Sequence, residues 1–141
     1  MVQAIRITVE ATVNAPIANV WKAWNTPGDI MQWNSPDPSW HCPGSENDLR
    51  VGGKFKNRME AKDGSAGFDF EGIYDQVEHH KEISYTMADG RKVTTLFAAR
   101  NGQTHIATTF DAETENDPEF QKQGWQAILN NFVRYVESTN L

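Results

Sequence analysis

The 141-residue sequence has one cysteine, Cys42. A lone thiol excludes an internal disulfide, and nothing in the chain points to an oxidising compartment. Positive charge is also scarce: 13 Lys and Arg stand against 19 Asp and Glu, a net charge of −6. Nucleic-acid binding depends on a basic stripe that displaces phosphate counterions. Docking on anionic membranes depends on basic clusters. Neither nucleic acid nor membrane is therefore an expected partner. No apolar run approaches the ~20 residues of a bilayer-spanning helix. The start, Met1-Val2-Gln3-Ala4-Ile5-Arg6, lacks the basic-then-apolar order of a signal peptide. A cytoplasmic protein is the expectation. Internal repeats, charge blocks and low-complexity linkers are missing too.

What is present is apolar area in large pieces. Mean hydropathy is only −0.63, yet the chain carries five Trp and seven Phe. The length fits one domain over 1–141, since domains run to about 100–200 residues. Ile5, Ile7, Val9, Ala11 and Val13 alternate with Arg6, Thr8, Glu10 and Thr12. Period two with polar partners predicts a half-buried strand. Pro16 then opens a helix, with Ile17, Val20, Trp21 and Trp24 on one face. Thr26, Pro27 and Asp29 predict a second short helix with a hydroxyl cap, burying Ile30 and Trp33. The stretch 34–47 is rich in Pro, Ser, Asp and Gly and reads as a long loop of the kind that carries a lid or a binding role.

Consecutive strands follow. Leu49, Val51, Gly53, Phe55, Asn57 and Met59 alternate with polar or basic residues, and Gly52-Gly53 suggests a bulge or bend. Asp63-Gly64 marks a hairpin. Phe68, Phe70, Gly72 and Tyr74 share one phase, as do Ile83, Tyr85 and Met87. Turns at 79–81, 88–90 and 101–102 separate further strands at 93–99 and 105–110. Regular spacing of turns predicts a meandering antiparallel sheet. Asp117 and Pro118 open a last, long helix whose stripe is Trp125, Ile128, Leu129, Phe132 and Val136. The order is β-αα-βββββ-α, an α+β chain. A curled sheet of about six strands would grip the long helix and leave an apolar pocket between them.

The runs Val20-Trp21-Lys22-Ala23-Trp24, Met31-Gln32-Trp33, Asp48-Leu49-Arg50-Val51-Gly52-Gly53-Lys54-Phe55, Phe70-Glu71-Gly72-Ile73-Tyr74, Glu82-Ile83-Ser84-Tyr85 and Gly124-Trp125-Gln126-Ala127-Ile128-Leu129-Asn130-Asn131-Phe132 resemble the SRPBCC superfamily, which includes START and birch-pollen-allergen-like domains. More narrowly, they resemble its subfamily related to the C-terminal domain of the activator of the 90-kDa heat-shock protein ATPase. The resemblance covers about residues 5 to 138. It implies a helix-grip fold with a cavity between sheet and helix. Members elsewhere in the superfamily bind lipids, sterols, polyketides or hormones, and a few are enzymes.

The expected function is binding of a small hydrophobic or aromatic molecule in that cavity. Its expected lining is Trp24, Trp33, Trp40, Phe55, Met59, Phe70, Tyr85, Trp125 and Leu129, with the Tyr85 hydroxyl as orienting group. Core packing alone is the competing reading of the tryptophans. Trp40, in a Pro/Ser stretch, is expected at the cavity mouth. An enzyme using the same cavity is the alternative; Glu71, Tyr85 and His105 would be its titratable groups. Cys42 lacks an activating neighbour, because His41 adjacent in sequence points elsewhere. His79 and His80 read as a turn, not as metal ligands. Arg50 and Arg58 are candidate partners for acids or for an anionic head group. No cofactor and no metal is expected. A chaperone contact ranks last, since the given sequence carries no counterpart of the additional N-terminal domain of such activators and fold is a weak warrant for function. The spacing of residues leaves monomer and homodimer both open.

Overall fold

A computed structural model describes residues 5–139. The start of the N-terminal alternation, residues 1–4, lies outside them. The elements are β1 (Arg6–Val13), α1 (Ile17–Asn25), α2 (Pro27–Trp33), β2 (Trp40–Asn47), β3 (Lys54–Ala61), β4 (Gly67–Glu78), β5 (Glu82–Met87), β6 (Lys92–Arg100), β7 (Gln103–Asp111) and α3 (Pro118–Thr139). The seven strands form one antiparallel sheet in the order β1-β7-β6-β5-β4-β3-β2. Chain order is kept from β2 to β7, so hairpins make most of the sheet. The single long crossing is β1 to β2, from one edge to the other, and α1 and α2 make it.

This is the helix-grip arrangement, with one strand more than expected. The extra strand is β2, in the stretch read as a loop. Its residues pair with β3 from Trp40↔Ala61 to Asn47↔Phe55, with a register shift between His41 and Gly44. An edge strand tolerates Pro43, whose missing N–H can face away from the ladder. The shift also breaks the period of two, so backbone pairing leaves no alternation to read.

The segment read as the start of the next strand is a tight turn instead. Gly53 N–H donates to the Arg50 carbonyl at 2.8 Å. Gly52 has φ +83°, and a Cβ on Gly53 would stand 2.1 Å from the Asp48 carbonyl oxygen. Side chains are excluded there, and β3 begins only at Lys54. Asn101 (φ 51°) and Gly102 (φ 82°) make the tight hairpin between β6 and β7 that their sequence predicts.

Helix ends follow local chemistry with one exception. Asp117 Oδ1 accepts the Glu119 N–H at 2.7 Å and caps α3. The Thr26 hydroxyl, expected to cap α2, donates backward to the Lys22 carbonyl at 2.7 Å and closes α1. Along α3 the predicted stripe is correct: Leu129, Phe132 and Val136 are buried, and Trp125 and Ile128 are half-buried.

The main core runs from Val9, Val13 and Ile106 on the sheet to Phe132 and Val136 on α3. The long helix leans on β1, at one side of the sheet. Its backbone stands off the central strands, so large side chains must fill the space between, and they fill it incompletely. Among the described residues, no helix is long and apolar enough to cross a membrane.

Candidate functional site

The space left under α3 is a cavity of about 240 Å3. β3 contributes Phe55, Asn57 and Met59, successive inward residues of one strand. Phe68, Phe70 and Tyr74 come from β4, and Ile83 and Tyr85 from β5. Trp125, Ile128 and Leu129 close it from α3, and Trp24, Ile30 and Trp33 from the two short helices. Phe68 is 50% exposed and marks the rim.

Eight of the nine residues expected to line the pocket do so. Trp40 does not. It opens β2 and packs against the outer ring of Phe68, centroids 6.1 Å apart, so it backs the rim from outside. The edge strand, invisible in the sequence, gives this Trp its place. Trp21 also stands apart, edge-on to Phe97 (5.2 Å) and beside His79 (5.5 Å) and His80 (5.8 Å).

The aromatic lining is built, not collapsed. Trp24 and Trp33 stack at 5.1 Å, and Phe132 meets both edge-on at 4.9 Å. Trp33 Nε1 donates to the Ala23 carbonyl at 3.0 Å, and Asn131 Nδ2 donates to the Trp33 carbonyl at 2.8 Å. These bonds pin the end of α2 between α1 and α3. Trp125 lies flat on Phe110, centroids 4.0 Å apart and planes 10° from parallel. Aromatic pairs gain beyond their buried area from such contacts, and each pair here braces one wall.

The polar lining extends well beyond the Tyr85 hydroxyl that the sequence suggests. Asn25, Asn34, Asn47, Asn57, Tyr74, Thr95 and Thr108 all reach the cavity. A signal existed: Asn57, Thr95 and Thr108 each occupy the apolar phase of their strand. Most of this polarity is satisfied internally. Thr95 and Thr108 share a hydroxyl–hydroxyl bond of 2.9 Å. The Tyr74 hydroxyl donates to Asn47 Oδ1 at 2.5 Å, and Asn47 Nδ2 donates to the Asn25 carbonyl at 2.7 Å. Burial pushes the Tyr74 and Tyr85 hydroxyls well above the usual tyrosine range; the Asn47 bond offsets part of this at Tyr74. Both phenols are neutral at physiological pH, as an unshifted tyrosine already is.

Of the groups weighed for chemistry, Tyr85 lines the cavity and the others lie elsewhere. Glu71 is exposed on the outer face, opposite Lys56. His105 is on the outer face as well, its Nε2 3.1 Å from Glu10 Oε1 and its Nδ1 3.3 Å from Thr12 Oγ1. Strand phase decides this: Thr104, Ile106, Thr108 and Phe110 take the buried face of β7, so His105 takes the other. The buried Cys42 thiol donates to the Gly44 carbonyl at 3.3 Å; burial raises its pKa. His41 is 3.9 Å from Glu60, not beside the thiol. His79 and His80 form a turn with stacked rings, and the described residues contain no cluster able to hold a metal. Arg50 pairs with Asp48, and Arg58 with Glu60 and Asp69.

Residues 14–137 match the family model described as Activator of Hsp90 ATPase homolog 1-like protein. The solution structure of the AHSA1-like protein from Aeromonas hydrophila is 49% identical, with a TM-score of 0.90 over 96% of this chain and 94% of that one. A solution structure from Cytophaga hutchinsonii is 51% identical, with a TM-score of 0.82 over 95% and 93%. A crystal structure from Chromobacterium violaceum shares the fold at 24% identity, with a TM-score of 0.83 over 94% and 96%. No curated protein matches the chain.

Proposed function

The chain belongs to the Activator of Hsp90 ATPase homolog 1-like family, within the SRPBCC superfamily, and from that premise we propose that it binds a small hydrophobic or aromatic molecule in the cavity under α3. The fold is one that typically binds hydrophobic ligands. The observation that carries the reading for this chain is the void itself. Native interiors are close-packed, and an apolar void of about 150 Å3 already accepts benzene. Here about 240 Å3 stands open behind an aromatic wall and reaches solvent at Phe68. Water in this space meets a mostly apolar wall. An apolar guest gains dispersion contacts with that wall and removes its own apolar surface from water, worth about 25 cal/mol per Å2 before the costs of association.

Binding is favoured over turnover by where the titratable groups sit. Glu71 and His105 face away from the cavity, and no Asp, Glu, Lys, Arg or His stands beside Tyr85 among the described lining residues.

Protein-observed NMR titration with a panel of small aromatic and aliphatic molecules tests the reading. Saturable shifts are expected on amides of the elements that line the cavity, β3, β4, β5, α2 and α3 from Trp125 to Leu129 foremost. Absence of saturable shifts across the panel, or shifts only on the outer sheet face, would overturn it.

A further inference from the structure

Every polar group in the cavity is uncharged: no Asp, Glu, Lys, Arg or His is among the described lining residues. Like the side-chain amide of Asn34, the Tyr85 hydroxyl is one of the lining groups left unspent. Its ring is clasped by Phe55 (4.6 Å), Phe70 (6.2 Å) and Tyr74 (6.4 Å). Its oxygen makes no hydrogen bond to the described residues. Among the described residues no buried side-chain oxygen is sealed without a partner, and Tyr85 is one of the residues that line the cavity. Asn57 is similar: its Oδ1 accepts from Ser45 Oγ at 2.7 Å, which leaves its N–H groups unspent. The unspent groups on this wall are therefore neutral donors. Arg91 is the cation whose field reaches Tyr85, but its Nε is held by Asp89 at 2.7 Å and it lies outside the lining.

Resting on the binding reading above, we propose that the ligand is an uncharged, compact ring compound carrying a carbonyl, ether or hydroxyl oxygen, seated with that oxygen on the Tyr85 hydroxyl. Size sets the first limit. Scaled from a benzene-sized guest in about 150 Å3, a cavity of about 240 Å3 takes about ten non-hydrogen atoms. A sterol skeleton is far larger. Charge sets the second limit. A carboxylate entering here loses its water and meets no cation, and an unpaired buried charge is costlier than an unpaired hydroxyl. An oxygen-free hydrocarbon fits by area but leaves the Tyr85 donor unused.

Three molecules of one outline and equal non-hydrogen atom count separate these effects: cumene, acetophenone and benzoate. Each is titrated by NMR at neutral pH into the wild-type chain and into Tyr85→Phe. Acetophenone is expected to bind about fivefold tighter than cumene, the increment of one net hydrogen bond. Benzoate is expected to bind at least about tenfold more weakly than acetophenone. Tyr85→Phe is expected to bring acetophenone down to the cumene level and leave cumene unchanged, which also reports that the variant keeps its fold. Benzoate binding as well as acetophenone would overturn the proposal while the cavity reading stood. Equal acetophenone affinity in both proteins would overturn the anchoring role of Tyr85. Failure of all three molecules in the wild type would overturn the cavity reading along with it.

Discussion

The ring of Phe55 meets the ring of Tyr85 edge-on, with 4.6 Å between centroids, although β4 runs between their strands. The contact passes over Gly72, the residue paired with Phe55 on β4. A Cβ at Gly72 would stand 2.9 Å from Phe55 Cε1 and 2.8 Å from the Thr86 carbonyl oxygen. Gly72 is therefore a gap in the pleat that lets two aromatic walls of the cavity touch. Gly72→Ala is expected to destabilise the protein by about 1–3 kcal/mol, the usual cost of overpacking. It should also displace the Phe55 ring from Tyr85. Urea unfolding measures the first effect and ring–ring NOEs the second; unchanged values would mean the backbone yields there at no cost.

Thr95 and Thr108 are almost fully buried, and their side-chain hydroxyls bond each other, 2.9 Å apart across β6 and β7. Thr95→Val keeps the shape but strands the Thr108 hydroxyl. The expected loss is about 1–3 kcal/mol. Replacing both residues with Val removes the stranded group and should recover most of that loss. A double-mutant cycle in urea checks the coupling; additive single effects would contradict it.

The Tyr135 hydroxyl donates to Asp29 Oδ1 at 2.5 Å and ties α3 to α2. This bond, with burial a lesser cause, raises the Tyr135 pKa from 10.0 to about 12. The protonated phenol is the form that the fold favours. Its stabilisation is complete below pH 10 and fades as pH rises through about 12. Tyr135→Phe should therefore cost stability at neutral pH, by about 0.5–1.5 kcal/mol for a half-buried bond, and the difference from wild type should vanish toward pH 12. Urea midpoints across that alkaline range test it; a gap that widened with pH would give the opposite sign.

Ile128 lines the cavity from α3, one turn beyond Trp125. Ile128→Phe sends a larger ring into space that is already empty. Overpacking is costly only where the core is full, so stability should change by less than about 1 kcal/mol. Acetophenone binding should be lost. Retained affinity in a folded Ile128→Phe variant would place the ligand elsewhere.

Residue patterns carried much of this in advance. The period of two in β1 and the stripe on α3 are set by which side chains avoid water, and that preference is local to each element. The same phases brought Phe55, Met59, Phe70, Tyr85, Trp125 and Leu129 to one volume, because inward faces of a curled sheet converge. Turn chemistry at Asn101-Gly102 is equally local. What pattern could not show was pairing. β2 is held by its ladder to β3, and backbone bonds leave no mark on residue type at an edge containing Pro43. Trp40 was misplaced for that reason alone.

Local pattern alone sets β1, the three helices and the strands from β3 to β7, the helix that carries the stripe, and the aromatic character of what lies beneath it. Packing settles the edge strand β2, how far α3 stands from the sheet, which polar groups are already spent, and that the Tyr85 hydroxyl is not. Hydrophobic periodicity reports which face turns inward, whereas the size of a void and the satisfaction of a donor are differences between neighbours far apart in the chain, and those exist only once the chain has packed.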